Sequence, residues 1–203
     1  MPQAIYNHYV ETSIYTSEFD PRNAEQISMR IDTTIEAGLP FLVAVARGNQ
    51  PKGPKGFVSE KIVGYASLDD WTDQSSIYRY TFELELYVHP GYTSQNIASC
   101  LLDRLLEMAN TGYNARGGYD YRNDFDYLKT GPSRVIKTIV LLVHKEHGEK
   151  TDETSKFLKQ FNFSCAGHIA QMGFKLGKVV DLFFYRHTTT EIIDPNGRPT
   201  VAL

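Results

Sequence analysis

The stretch from Tyr80 to Leu102, YTFELELYVHPGYTSQNIASCLL, limits the possible folds more than any other part of the chain. Phe82, Leu84, Leu86 and Val88 alternate with Thr81, Glu83, Glu85 and Tyr87, the two-residue period of a strand with one face on a core. The carboxylates of Glu83 and Glu85 therefore share the opposite face. His89-Pro90-Gly91 ends the run as a turn, and apolar residues return with helical spacing at Ile97, Leu101, Leu102, Leu105, Leu106 and Met108. The first backbone N–H groups of such a helix have no intrahelical partner, and they point out of its positive end, where a phosphate can be held. Thr93, Ser94, Gln95, Asn96, Ile97, Ala98 and Ser99 supply hydroxyls, amides and those N–H groups. Asn96 tolerates the positive φ that a tight phosphate loop requires. An ordinary capped helix uses similar residues, so the stretch alone leaves both readings open.

The rest of the chain supplies a sheet and helices around this junction. Ala4 to Val10 reads as a short helix and Ser13 to Phe19 as extended. Asp20-Pro21 fits the cap and first position of a second helix, striped by Ile27, Ile31 and Ile35 and closed by Gly38. Phe41 to Ala46 and Ile62 to Leu68 are strands, joined by a Gly-, Pro- and Lys-rich excursion near 47–61. Trp71, the single tryptophan, lies in a polar connection, where it lines a pocket or pins the loop. A second excursion, 112–134, is an insertion or lid. Val135 to Val143 reads as a central strand, His144 to Lys150 as polar connection and Glu153 to Gln160 as a helix. Phe163 to Ala166 leads into a strand, His168 to Phe174 follows, and after a turn at Gly177 the apolar run Val179 to Tyr185 is the last strand. Residues 1–187 form a single domain and 188–203 a C-terminal tail. The order of elements describes an α/β (α+β) fold, a mixed sheet with helices on its faces.

Charge and composition remove several classes of function. The chain has 203 residues and a formal net charge of -3, without the basic block of a nucleic-acid-binding arm. No nucleic acid partner is expected. No stretch reaches transmembrane length and the start lacks a secretion signal, so the expectation is a cytoplasmic protein with no membrane partner. Cys100 and Cys165 have no metal-ligand spacing and read as small buried hydrophobes.

Several blocks in order carry a resemblance. YVHPGYTSQNIASCLLDRLLEMA is similar to the acetyl-coenzyme A binding motif of the GCN5-related N-acetyltransferase superfamily. IYNHYV, AGLPFLVA, IVGYAS, YRYTFELELYV and GHIAQMGFKLGKVVDL resemble its phosphinothricin acetyltransferase-like branch. The resemblance covers nearly everything outside the two excursions and the tail. In the loop, Thr93 stands where the family has glutamine or arginine, Asn96 replaces the central glycine, and Ala98 takes the final small position.

The resemblance implies an acyl-CoA N-acyltransferase fold with a mostly antiparallel twisted sheet, acetyl-CoA as acetyl donor, no metal, and a homodimer. The acceptor it implies is a small amine, an amino acid or toxic amino-acid analogue. A protein or peptide amine and a catalytically inactive CoA-binding regulatory module are the alternatives. Glu83 falls on the family's catalytic glutamate, with Glu85 as helper, whereas two solvated surface carboxylates are the plain reading of the same pattern. Leu86, Tyr87 and Val88 supply the backbone that orients the thioester, Thr93 to Ser99 the pyrophosphate loop, and Thr154 a further cofactor contact. The branch's late-helix histidine is replaced in Phe157-Leu158, and His144 and His147 are surface residues or stand-ins for it. Tyr6, Trp71, Arg79 and Lys175 are candidate substrate contacts, the two cations pairing with a substrate carboxylate or lying at the surface, with Asp181 orienting Lys175 or a neighbouring strand.

Overall fold

The computed structural model describes residues 2–47, 60–123, 134–149 and 153–194. The element order is α1 (Pro2–Thr12), α2 (Ala24–Glu36), β1 (Phe41–Arg47), β2 (Glu60–Asp70), β3 (Thr81–Val88), α3 (Ile97–Ala109), β4 (Thr138–Glu146), α4 (Glu153–Lys159), β5 (Ser164–Lys175) and β6 (Lys178–Thr188). A short 3-10 turn, Pro90–Tyr92, separates β3 from α3. The strands form one sheet in the order β1-β2-β3-β4-β6-β5, in which β3–β4 is the parallel pair and the others are antiparallel. This is the mixed, mostly antiparallel sheet flanked by helices that was expected.

Alternation along β2 and β3 divides the interior into two layers. Ala66, Leu68, Phe82 and Leu84 face Leu101, Leu102, Leu105 and Leu106 of α3. On the opposite face Tyr65 packs with Ile5, Tyr6 and Val10 of α1 and Ile27 of α2, and Tyr87 lies against that cluster. Glu83 and Glu85 sit on this second face, beneath helices instead of in solvent. The side chain of Glu85 is only 14% exposed. The plain reading of two solvated carboxylates is therefore set aside by α1 and α2.

Some boundaries differ from the sequence expectation for identifiable reasons. α2 starts at Ala24, after Asn23, because Asn23 and Gln26 form a capping box, each side chain bonding the other's backbone N–H at 2.8 Å. Asp20-Pro21 precedes that start. Residues 13–19 follow an irregular path, not an extended strand. β4 continues through His144, Lys145 and Glu146, which pair with Leu182, Asp181 and Val180 of β6. Long-range pairing thus overrides their polarity. Cys165 is exposed, not buried. The excursion from 112 is anchored as far as it is described: Asp103 on α3 accepts from the Tyr113 and Tyr119 hydroxyls and the Arg116 and Gly117 amides. Residues 48–59 and 124–133 of the two excursions, and 195–203 of the tail, lie outside the described residues. Thr189, assigned to the tail, is buried and bonds the Ile136 carbonyl at 2.6 Å.

Gly64 lets α3 approach β2. A Cβ there would lie 3.0 Å from Ile97 Cγ2, 3.0 Å from the Tyr87 carbonyl oxygen and 3.1 Å from Leu101 Cδ1. The carbonyl belongs to a paired strand and cannot move aside cheaply. Gly64→Val should destabilise the fold by about 2–3 kcal/mol, read from the urea midpoint.

Candidate active site

The parallel pair β3–β4 is joined only through Thr81↔Thr138, Phe82↔Ile139 and Glu83↔Val140, although β3 runs to Val88 and β4 to Glu146. Beyond Glu83 the strands part. The Trp71 N–H donates to the Thr81 carbonyl at 3.2 Å and the His89 N–H to the Val63 carbonyl at 2.8 Å. Odd-numbered residues of β3 therefore bond to β2, and Leu86 and Val88 direct their backbone groups to the side where β4 has departed. The Tyr9 hydroxyl satisfies the Val88 carbonyl at 2.6 Å. The Leu86 and Val88 N–H groups border a cavity of about 810 Å³ that fills the opening.

One end of the opening meets the start of α3. Ser94 and Asn96 have φ of 61° and 60°, both left-handed, and the Asn96 side chain makes no capping bond. The Cys100 N–H takes the Asn96 carbonyl at 3.0 Å, and the Thr93 hydroxyl bonds the Pro90 carbonyl at 3.2 Å. Ala98 lines the cavity from this helix, and Thr154, Phe157 and Leu158 line it from α4. An uncapped helix start and strand amides without a neighbour form a donor set that fits the phosphates and thioester of an acyl-CoA.

The other wall carries charge. Glu85 pairs with Arg30 Nη2 at 2.9 Å, and the same nitrogen reaches Asp69 Oδ2 at 2.7 Å. Burial pushes the Glu85 carboxyl up to about 7 against the opposing pull of Arg30. Burial also raises Glu83, again opposed by Arg30. Desolvation is the largest influence on Glu85, and repulsion from Glu83 comes after Arg30, Arg22 and Asp69. Among the described residues Glu83 has no hydrogen-bond or ion-pair partner. Tyr6 and Tyr87 meet edge to face at 5.4 Å, and burial raises both phenols.

Sequence-derived candidates divide by position. Tyr6, Glu83, Glu85, Leu86, Tyr87, Val88, Ala98, Thr154 and Lys175 all line the cavity. Thr93, Ser94, Gln95, Asn96, Ile97 and Ser99 lie on the loop and first turn beside Ala98 and do not line it. Trp71 and Arg79 do not line it either: Trp71 closes β2 against Thr81, and the Arg79 guanidinium lies 4.7 Å over the Tyr80 ring before β3. Lys175 donates to the Thr16 carbonyl at 3.0 Å and hydroxyl at 2.9 Å, and burial lowers its pKa. Asp181 does not orient Lys175; it takes the other role expected of it and ties the neighbouring strand β5 to β6. That carboxylate accepts from His147 and His168, each at 2.9 Å, and from the Gln171 N–H at 2.8 Å. His144 is no surface residue: it lines the cavity, and burial lowers its pKa. Sequence reasoning missed Tyr9, Glu18, Arg22 and Arg30 as cavity residues. Tyr9 lies inside the IYNHYV block; nothing in the polar face of α2 marks Arg30.

Two measurements probe this geometry. The folded-state pKa of Glu85 exceeds its ordinary value, 4.5, so the folded state keeps the proton longer and loses stability as pH rises from about 4.5 to about 7. Glu85→Gln should therefore gain stability over the parent between pH 5 and pH 8, by about 2 kcal/mol, in paired urea titrations. At φ of 60°, Asn96→Gly should leave acetyl-CoA binding within about twofold, whereas Asn96→Val, strained by about 1–2 kcal/mol, should weaken it about tenfold by calorimetry.

Residues 4–116, over half of the chain, match the acetyltransferase (GNAT) family. Phosphinothricin N-acetyltransferase of Alcaligenes faecalis is 30% identical over 109 residues, 54% of this chain. That match spans about half of the relative's length, 49%. Among solved structures, yncA of Salmonella typhimurium, determined with its cofactor acetyl-CoA, aligns with a TM-score of 0.66 at 22% identity over 97% of this chain and 91% of that one. Ribosomal-protein-alanine N-acetyltransferase of Brucella melitensis aligns with a TM-score of 0.65 at 22% identity over 92% and 91%. The GNAT phosphinothricin acetyltransferase of Sinorhizobium meliloti, in complex with acetyl-CoA, gives 0.63 at 18% over 99% and 87%. These likenesses share the fold, and the parted strands and the family match over residues 4–116 agree in one conclusion: the chain belongs to the GNAT acetyltransferase family.

Proposed function

We propose that this protein transfers the acetyl group of acetyl-CoA to the amine of a small molecule, with Glu83 accepting the amine proton directly or through water. The observation that carries this is Glu83 itself, a cavity carboxylate raised by burial and without a hydrogen-bond or ion-pair partner among the described residues. Every other glutamate or aspartate discussed on that wall is held by a cation.

Acetyl-CoA, when bound, supplies an acetyl group on a thioester. The start of α3, with Ser94 and Asn96 shaping the loop, would hold its phosphates, and Thr154 would contact it from α4. The Leu86 and Val88 N–H groups would orient the thioester oxygen and stabilise negative charge developing there. Tyr9 bonds the Val88 carbonyl and so holds the peptide that follows Val88. An amine attacks only when neutral, and a base of raised pKa takes its proton near neutral pH. Arg30 keeps Glu85 in place beside Glu83 and lowers both carboxyls from what burial alone would give. No cysteine participates: Cys100 and Cys165 are not among the cavity residues.

The retained, unpartnered Glu83 supports catalysis over a silent CoA-binding module. Walls from residues 14–19 and 172–175 support a small acceptor over a peptide.

Glu83→Gln should lower kcat about 10²- to 10⁴-fold in a CoA-release assay and leave the Kd for acetyl-CoA unchanged. An unchanged kcat with unchanged binding removes Glu83 as the base. The acid limb of kcat/KM should also lie above the ordinary glutamate range.

A further inference from the structure

We infer that the acceptor amine carries an aromatic or bulky apolar body, held by an apolar rim at the cavity mouth and by tyrosine rings that lead inward from the rim to the glutamates. The inference deepens the reading of this cavity as an acetyl-acceptor site and rests on it.

Large apolar side chains gathered in the open at one concave mouth mark a place where apolar ligand surface is buried. Tyr15 and Phe19, from the segment between α1 and α2, and Met172 and Phe174, from β5, line the cavity and are 56% to 69% exposed. Local chemistry sets both pairs in place. Lys175 Nζ bonds the Thr16 carbonyl at 3.0 Å and hydroxyl at 2.9 Å, which ties the first segment to the end of β5. In β5 the register shifts between Ile169 and Gly173, and Gln171 takes a φ of 54° and gives its N–H to Asp181 at 2.8 Å. Such a bulge re-aims the side chains beside it, and Met172 and Phe174, two residues apart, share a face.

The rim continues inward as a row of rings. Tyr15 meets Tyr9 at 6.3 Å between ring centroids, and Tyr9 meets Tyr87 at 5.4 Å, all three lining the cavity. Tyr87 stands on the same strand face as Glu83 and Glu85. The Tyr9 hydroxyl is committed to the Val88 carbonyl, so Tyr9 presents its ring to a ligand. An apolar body laid along these rings gains contact over its length while its amine reaches the carboxylates. That continuity makes the acceptor the occupant of the rim; Ile169, Leu176 and Val179, also exposed on the β5–β6 hairpin, lie outside the cavity. Lys175 keeps one N–H beyond the two it gives Thr16, so a carboxylate on the same body is compatible with this site.

Two pairs of probes that differ in the body alone test the inference: phenethylamine against ethylamine, and phenylalanine against alanine. Equilibrium binding is measured with free CoA present, and kcat/KM by CoA release from acetyl-CoA. In at least one pair the aromatic member should bind at least about tenfold better, the effect of burying a ring, and should react better to the same degree. A binding preference below about tenfold in both pairs overturns the inference, as does binding of no member. Selective binding of the aromatic members without CoA release upholds this inference and removes the acetyltransferase reading, so the two fail separately. Phe19→Ser combined with Phe174→Ser changes two exposed side chains and should bring the preference to about threefold or less through a loss by the aromatic member. A preference that stays at about tenfold in this variant overturns the inference. So does a fall of both members together with loss of a dimer in sedimentation, which assigns the rim to a second copy of the chain.

Discussion

The structure depends on the parting of β3 from β4. Three residue pairs join the strands, and five residues of β3 then continue without that neighbour. A backbone N–H or carbonyl inside a protein needs a partner, so an unclosed ladder is costly unless something else occupies it. Here Tyr9 satisfies the Val88 carbonyl, and the adjoining amides face a cavity. The same opening admits α3's first turn at one end and the two glutamates at the other. The donors suited to an acyl-CoA and the carboxylate suited to a proton therefore share one space because one pair of strands fails to zip.

Burial determines how the charged wall behaves. Glu83 and Glu85 differ by two positions on one strand face, yet Glu85 is tied to Arg30 and Glu83 has no hydrogen-bond or ion-pair partner among the described residues. Both carboxyls rise through desolvation, and Arg30 limits the rise. A guanidinium bridging Glu85 and Asp69 holds the wall in one arrangement, because removing Arg30 would leave two neighbouring carboxylates without their shared cation. Repulsion between the glutamates contributes little beside the loss of water.

Much of the fold was legible locally. Period-two alternation located β3 and assigned its faces, Gly38 and Gly177 marked an αL cap and a hairpin turn, and Asn96 was identified as able to take φ near 60°. Errors fell where a long-range partner outweighed local signal. His144 to Glu146 looked like connection, but β6 supplies a ladder for them. Asp20-Pro21 looked like a helix start, but the reciprocal bonds of Asn23 and Gln26 made a better one. Asp181 was open between Lys175 and a neighbouring strand, and the bonds from two histidines and a bulged amide of β5 decide for the strand.

By itself the sequence determined the strand–loop–helix junction, the shared face of Glu83 and Glu85, and which family this chain resembles, because these follow from spacing along a few consecutive residues. Only the tertiary structure decided that this face is covered, that Glu85 is tied to Arg30 while Glu83 is not, and that Arg79 stands apart from the cavity while Arg22 and Lys175 enter it already engaged. Those outcomes depend on desolvation and on partners distant in the chain: Arg30 meets Glu85, Tyr9 meets Val88 and Lys175 meets Thr16 only once the sheet has formed and the helices have packed on it.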